Sequence, residues 1–206
     1  MTNTIGTTAA PMATLHGDDA PADERILDAT LRVLAREGIA GVKMRAVARE
    51  AGVAVGLANY HFENKNALVS AALQRIGERD LELFKPASDD GNPVVEPAER
   101  LRHSLRVALD PEYLEPAYLS LRLQLWSLAG VDPDFAGINR AAQRRYLDGL
   151  TSLLRAARPD LDAAAVEARA ADILVTQNGV WLTAILIEDK NAVARALAHC
   201  EHLAFD

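Results

Sequence analysis

The chain is poor in the residues from which disulfides, metal centres and common active sites are built. Its 206 residues include only one cysteine, Cys200, which excludes an internal disulfide and suits a reducing compartment. His199 and His202 stand beside it, but no fourth ligand is apparent, so we predict no metal site. No phosphate-binding glycine loop, nucleophile elbow, zinc-protease pair or dinucleotide fingerprint occurs. We therefore expect neither an enzyme nor a bound cofactor.

Long hydrophobic runs are also missing. The longest apolar stretch, residues 170–187, is interrupted by Asp172, Gln177 and Asn178, which argues against a membrane span. Residues 1–21 are rich in Thr, Ala and Pro and contain neither Lys nor Arg, so they fit neither a signal peptide nor a basic DNA-binding arm. We interpret them as a disordered tail and expect a cytoplasmic protein.

Residues 39–66 carry the most informative pattern in the chain. The spacing of apolar residues predicts one helix over about 44–51 and a second over about 55–60. Gly52 separates them, because the chain there must turn through a left-handed conformation that favours glycine. The residues predicted to pack the two helices together are Val47, Ala48, Ala51, Ala58 and Phe62. The pattern predicts a helix-turn-helix whose second helix enters a DNA major groove.

The N-terminal part of the chain resembles the DNA-binding domain of the TetR family of transcriptional regulators. The resemblance covers roughly residues 22–84. It is carried by ERILDATLRVLAREG at 24–38, AREAGV at 48–53, YHF at 60–62 and the F-x-x-K-x-x-L arrangement of Phe62, Lys65 and Leu68. It implies an all-α protein with a three-helix DNA-binding domain over residues 22–66 and a double-stranded operator as partner.

The sequence departs from the family pattern at two helix starts. Lys43 and Ala54 stand where a Thr or Ser usually caps the two helices of the motif, so neither helix has the usual side-chain oxygen for an orphan amide. Val55 replaces the common Lys or Arg, which removes one charge contact. We therefore expect DNA binding to depend more strongly on the remaining polar groups of the motif.

The candidate DNA-contacting residues follow from chemistry and from the resemblance. They are Lys43, Arg45, Val55, Gly56, Leu57, Asn59, Tyr60, His61 and Lys65. Asn59 can pair with base edges, while Val55 and Leu57 suit a thymine methyl. Tyr60 and His61 resemble the family's phosphate-contacting pair. Lys65 follows Asn64, the predicted cap of the next helix, so ammonium and helix start could hold one phosphate together. The alternative interpretation is that Tyr60 and His61 close a turn and that the charged residues form a solvated face, because helix-turn-helix geometry also occurs in proteins that bind no DNA.

Charge is unevenly distributed around this motif. The whole chain has a net charge of −7, and residues 86–206 carry 12 basic and 18 acidic side chains. Residues 39–66 carry four basic and two acidic side chains, a small positive island. We therefore expect modest nonspecific attraction to DNA. DNA binding should depend instead on how well the motif fits the DNA and on two copies of the chain acting together.

The rest of the chain is predicted to be helical, which gives about nine helices in total. A long helix starts near Asn64, residues 85–97 form a loop, and five helices follow near 97–109, 112–129, 133–157, 162–187 and 189–203. The segments LWSLAGVDPDF at 125–135 and NGVWL at 178–182 weakly resemble the choline-responsive, BetI-type branch of the TetR family. We assign residues 67–206 to a ligand-binding and dimerisation domain.

Polar and aromatic residues in otherwise apolar helices are the candidates for a small-molecule pocket. They are Tyr118, Arg122, Trp126, Tyr146, Gln177, Asn178 and Trp181. Trp126 and Trp181 could form part of an aromatic cage for a cationic ligand, as the BetI-type resemblance implies. Core packing is the alternative role for each of them. Gln177 and Asn178 could instead pair across a subunit interface.

The helix near 162–187 is apolar almost all round in its second half, so it needs cover on two sides. We expect a homodimer through the last two helices, with Leu174 and Ile185 in the interface. The function predicted is a repressor that binds a near-palindromic operator and is released by a small-molecule effector of unknown identity. The alternatives are an activator of the same fold and a helical small-molecule-binding protein that does not bind DNA.

Overall fold

The computed structural model describes residues 20–81, 84, 96–111, 113–187, 189 and 191–206, without the side chains of residues 79 and 80. This part of the chain contains nine α-helices and no strand, so the all-α prediction is confirmed. The helices are α1 (Ala22–Gly41), α2 (Met44–Glu50), α3 (Val55–His61), α4 (Lys65–Leu81), α5 (Pro97–Val107), α6 (Pro116–Ala129), α7 (Pro133–Ala157), α8 (Ala163–Leu186) and α9 (Ala192–Phe205). The predicted tail lies outside the described residues except for its last two positions, and most of the predicted loop at 85–97 lies outside them too.

The described chain divides into two compact units, residues up to Ala72 and residues from Leu73 onward. The division falls within α4, whereas the sequence placed the boundary between residues 66 and 67. The first unit packs α1 against α2 and α3. Its core includes Ile26, Leu34, Val47, Ala58 and Leu68, all with no exposed surface.

A glycine also shapes the end of α1. Gly38 leaves helical geometry at φ 68° and ψ −177°, a conformation that is essentially restricted to glycine. The chain then passes through Ile39 and reaches the short link to α2. The regular part of α1 therefore ends before its last residues, which form a turn.

The second unit packs α5 to α9 with the end of α4 around a core that includes Trp181 and Tyr118. Local chemistry accounts for several of the helix starts. Pro97, Pro116 and Pro133 each stand in the first turn of a helix, where a missing amide hydrogen does no harm. The Asp132 carboxylate caps α7 by accepting from the Asp134 amide at 2.9 Å. The helix predicted over 133–157 has those bounds in the structure.

Two helices begin later than predicted. α6 starts at Pro116 rather than near residue 112, because the Asp110 carbonyl accepts from the amides of Tyr113 and Leu114 and closes a separate turn. α9 starts at Ala192 rather than 189, because the Asp189 carboxylate accepts from the Asn191 amide at 2.9 Å. Local side-chain and turn hydrogen bonds thus take the place of the first helical turn.

Candidate functional site

The turn between α2 and α3 has the geometry that the sequence predicts. Gly52 adopts φ 65°, in the left-handed region. The Val53 amide donates to the Ala48 carbonyl at 2.9 Å, and the Gly52 amide donates to the Arg49 carbonyl at 3.3 Å. This pair of bonds is the Schellman arrangement that ends a helix with a glycine. Ala48 on α2 and Ala58 on α3 both have no exposed surface.

The outward face of α3 is open to solvent. All six residues that the sequence places there are exposed: Val55, Gly56, Leu57, Asn59, Tyr60 and His61. Tyr60 is 83% exposed and its ring meets that of His61 edge-on, with centroids 5.4 Å apart. Phe62 is half-buried, in keeping with its predicted packing role. A short helix therefore presents apolar, amide, phenol and imidazole groups side by side.

The starts of α2 and α3 lack side-chain caps, as expected from Lys43 and Ala54. Neither residue makes a capping hydrogen bond in the structure. Lys43 and Arg45 are exposed beside the motif. Their contact with DNA remains a prediction.

Lys65 has a partner that sequence reasoning missed. The Asn64 side chain accepts from the Ala67 amide at 2.9 Å, so the predicted cap of α4 is present. The Lys65 ammonium, however, donates to the Ile39 carbonyl at 2.6 Å and is half-buried. It thereby ties the start of α4 to the turn that follows Gly38. An ammonium has three donors, so this bond leaves capacity for a phosphate.

Helical spacing places Glu50 on the outward side of α2, yet two arginines of α1 hold its carboxylate. It accepts from Arg32 Nε at 3.1 Å and from Arg36 Nη2 at 3.3 Å, both on α1. Burial alone would raise the pKa of this carboxyl, but the two guanidinium groups outweigh burial and hold the pKa below its usual value. The network braces α2 against α1. No local pattern could reveal it, because the partners lie far apart in sequence.

A small cavity in the second unit brings together four of the seven predicted pocket residues. Arg122, Trp126, Tyr146 and Trp181 line it. The other lining residues are Ile76, Gly77, Leu125, Asn139, Ala142, Gln143 and Leu174. The enclosed space is only about large enough for one water molecule.

Arg122 occupies the aromatic surface that the sequence assigned to a cationic ligand. Its guanidinium carbon lies 3.8 Å from the centroid of the Trp181 ring, and Nη2 donates to the Tyr118 hydroxyl at 3.1 Å. Arg122 is 5% exposed and Trp181 is 1% exposed. Tyr118 therefore supports Arg122 rather than lining the cavity. The predicted part of Trp126 and Trp181 in an aromatic cage stays a prediction, and in the structure one face of the Trp181 ring is covered by Arg122.

Gln177 and Asn178 behave differently from each other. Gln177 has no exposed surface and accepts from the Tyr146 hydroxyl at 2.9 Å, so it cannot pair across a subunit interface as suggested. Its Nε2 atom has no hydrogen-bond partner among the described residues. Asn178 is half-buried, and its Oδ1 likewise lacks a partner within the described part of the chain. Neither residue lines the cavity.

The apolar residue exposed in the middle of α8 is Val175, which follows the predicted interface residue Leu174. Leu174 is half-buried and lines the cavity, whereas Val175 is 69% exposed. Ile185 is partly exposed as predicted, and Leu186 is 71% exposed. Val175, Gly179, Leu182 and Leu186 follow one another at helical spacing. In the part of the chain that the structure describes, the exposed apolar face of α8 therefore runs from Val175 to Leu186.

Cys200 is not poised for chemistry. Burial raises the pKa of its thiol to about 12, so it stays protonated and unreactive near neutral pH. His199 and His202 are exposed on the other side of α9. Within the described residues, no three His, Cys, Asp or Glu side chains stand close enough to hold a metal ion.

The geometry so far defines a class, the helix-turn-helix transcriptional regulators with a separate helical domain. The sequence profile of the bacterial regulatory proteins of the tetR family matches residues 26–72, and that of the BetI-type transcriptional repressor C-terminal domain matches residues 97–204. The chain belongs to the TetR family, within which its C-terminal domain is of the BetI type. It is a transcriptional regulator rather than an enzyme.

Individual relatives agree with this assignment. The chain is 26% identical over 166 residues to the HTH-type transcriptional regulator BetI of Burkholderia thailandensis, covering 79% of this chain and 80% of that protein. A transcriptional regulator from Pseudomonas aeruginosa PAO1 superposes with a TM-score of 0.74 at 26% identity, covering 88% of this chain and 87% of that chain. A regulator from Saccharomonospora viridis, solved in complex with choline, has a TM-score of 0.69 at 21% identity and covers 88% and 94% of the two chains, which shows the shared fold.

No described helix combines the length and the apolar character that crossing a bilayer would require.

Proposed function

We propose that this TetR-family regulator is a cytoplasmic repressor that binds a near-palindromic operator as a homodimer and leaves it when a small molecule binds the second unit. The observation that carries the proposal is the exposed face of α3. The buried Ala58 and the turn at Gly52 position this face. Apolar and amide side chains on such a face suit base edges, and Tyr60 and His61 suit phosphates.

Dimerisation supplies the second half of the proposal. Val175 and Leu186 leave an apolar face on α8, and exposed apolar patches of this kind usually meet a partner. A second copy packed there and along α9 would form a four-helix interface. Two recognition helices must then be separated by about 34–36 Å, one turn of DNA, or by a multiple of it.

The cavity supports a release mechanism. A ligand changes operator affinity only through its different affinity for the DNA-bound and free shapes, so a hundredfold preference supplies about 2.7 kcal/mol. Tyr146, Trp126 and Trp181 belong to three different helices, so a ligand that moves them would shift those helices relative to one another.

Fluorescence anisotropy with the DNA upstream of this gene and with random DNA tests the proposal. Asn59→Ala should weaken operator binding by about 1–3 kcal/mol per recognised base while barely changing random-DNA binding. Equal losses on both DNAs would refute base readout by α3. Failure of the wild-type protein to bind any fragment from its own genomic neighbourhood at physiological salt would favour the non-DNA-binding alternative, and increased transcription from the bound promoter would favour an activator.

A further inference from the structure

The composition of α3 limits the bases that this helix can recognise. Its sequence, VGLANYH, contains no lysine, arginine, aspartate or glutamate. In the major groove, arginine and lysine pair with guanine, acidic side chains accept from cytosine, asparagine and glutamine pair with adenine, and apolar side chains contact the methyl group of thymine. α3 therefore has side chains suited to adenine and thymine, and it lacks those that most often specify guanine and cytosine.

The side chains of α3 that flank its outermost line form two rows. Residues four positions apart lie on the same side of a helix, so Val55 aligns with Asn59. On the other flank, Leu57 aligns with His61 in the same way. Gly56 lies between the two rows and is exposed, so no side chain at this position holds the first turn away from a duplex. Both Val55 and Leu57 can therefore reach base edges together.

Val55 and Leu57 are apolar side chains that the fold of the first unit leaves partly open to solvent. Val55 is 37% exposed and Leu57 is 38% exposed. Each keeps apolar surface that a further contact would bury, and such burial is favourable in proportion to its area. The first residues of a recognition helix are those that contact base edges, where the thymine methyl group is the apolar target.

The lysines and arginines of the motif lie outside α3. Lys43 precedes α2, Arg45 and Arg49 belong to it, and all three are exposed. In a helix-turn-helix the first helix crosses the DNA backbone while the second enters the groove. Phosphate contacts fix the position of the protein and carry no sequence information directly. These cations therefore attract any duplex, and the choice of bases falls to α3.

We propose that α3 selects A·T base pairs in each half of the operator, with thymine methyl groups contacted by Val55 and Leu57 and an adenine paired with the Asn59 amide. The inference rests on the proposed function, in which α3 enters the major groove, and it names the class of DNA sequence that the regulator prefers. Two copies of the chain on a near-palindrome make each contact twice, so the effects of changing both half-sites multiply.

Selection of bound duplexes from a random-sequence library identifies the preferred DNA, and deoxyuridine then tests the methyl contacts. The selected half-sites should contain A·T pairs in their central positions. Deoxyuridine in place of one thymine removes only the methyl group. At a thymine under α3, each lost methyl should weaken binding by about fourfold, and by about fifteenfold when both half-sites are changed. Thymines outside the half-sites are the internal control and should show no change.

Variants connect each side chain with its base. Val55→Ala and Leu57→Ala should each lose the response to deoxyuridine at one thymine of the half-site and keep it at another. In the wild type, 7-deazaadenine, which lacks the N7 acceptor, should weaken binding by roughly twofold to tenfold at one adenine, and Asn59→Ala should lose this response. Val131→Ala shortens a valine that is 82% exposed in the second unit, so it is the matched control and should keep every response.

Thermal unfolding checks that each variant is folded. Folded Val55→Ala and Leu57→Ala proteins that both keep the full response to deoxyuridine would overturn the assignment. Enrichment of A·T pairs whose methyl groups have no effect on affinity would also overturn it, because the protein would then be reading the shape of the duplex.

The selection also separates this inference from the proposed function. If a near-palindrome with G·C pairs in its half-sites is enriched, the base assignment fails and the repressor proposal stands. If no sequence is enriched at physiological salt, DNA recognition itself fails and the base assignment fails with it.

Discussion

Gly56 offers the sharpest test of whether α3 reads DNA. This glycine lies inside a helix, its φ is not positive, and a side chain built on it would have no atom within 4 Å. The fold therefore gives no reason for a glycine, which costs a helix roughly 0.5–1 kcal/mol relative to alanine. We infer that the missing side chain serves close approach of the helix backbone to DNA.

The Gly56→Ala variant should separate stability from binding. Thermal unfolding should show a gain of about 0.5–1 kcal/mol, since the methyl group meets only solvent. Operator binding should weaken by about 1–3 kcal/mol, the size of the effect of one disturbed base contact. A more stable protein that binds less well cannot be explained by damage to the fold.

Gly137→Ala is the matched control for this experiment. Gly137 is also helical and also has no atom within 4 Å of an added side chain, but it lies in α7 of the second unit. The change should stabilise the protein by a similar amount and leave operator affinity unchanged. If Gly56→Ala bound the operator as tightly as the wild type, the close approach of α3 to DNA would be refuted.

Three further changes probe the α8 interface, the Lys65 bond and the Glu50 network. Val175→Glu combined with Ile185→Glu should yield monomers that no longer bind operator; a dimer in sedimentation velocity would contradict the α8 interface. Lys65→Ala should reduce the dependence of operator affinity on salt concentration, by about one unit of the log–log slope for each phosphate that Lys65 neutralises in the two subunits. An unchanged slope together with a lower melting temperature would mean that Lys65 only makes its structural bond with Ile39. The pKa of Glu50 is lowered on folding, so its contribution to stability is present above the ordinary glutamate pKa of 4.5 and is lost as the pH falls through the folded value. Thermal unfolding of Glu50→Gln at several pH values should therefore show a weaker loss of stability in acid. The same loss as in the wild type would argue against the network.

Features set by short-range chemistry could be predicted from the sequence. The bounds of α7 follow from Pro133 and Asp132 at its start and from the break near Pro159. The turn follows from Gly52 itself, and the exposed face of α3 follows from the helical spacing that puts Ala58 on the buried side. In each case the deciding residues lie within a few positions of the element that they shape.

Features set by contacts between distant helices could not be predicted from the sequence. The helical spacing of α2 places Glu50 on its outward side, yet two arginines of α1 donate hydrogen bonds to its carboxylate. The second half of α8 is apolar almost all round, so its periodicity gives no contrast between Leu174 and Val175. Which of the two faces the cavity is decided by how the helices of its own unit pack around α8.

Arg122 is an example of such a contact within the predicted ligand site. In the sequence, an arginine and a tryptophan in separate apolar helices could both serve a cationic ligand's pocket. In the structure the first covers the second. The contact joins α6 to α8, so neither the spacing of apolar residues nor the composition of either helix alone could predict it.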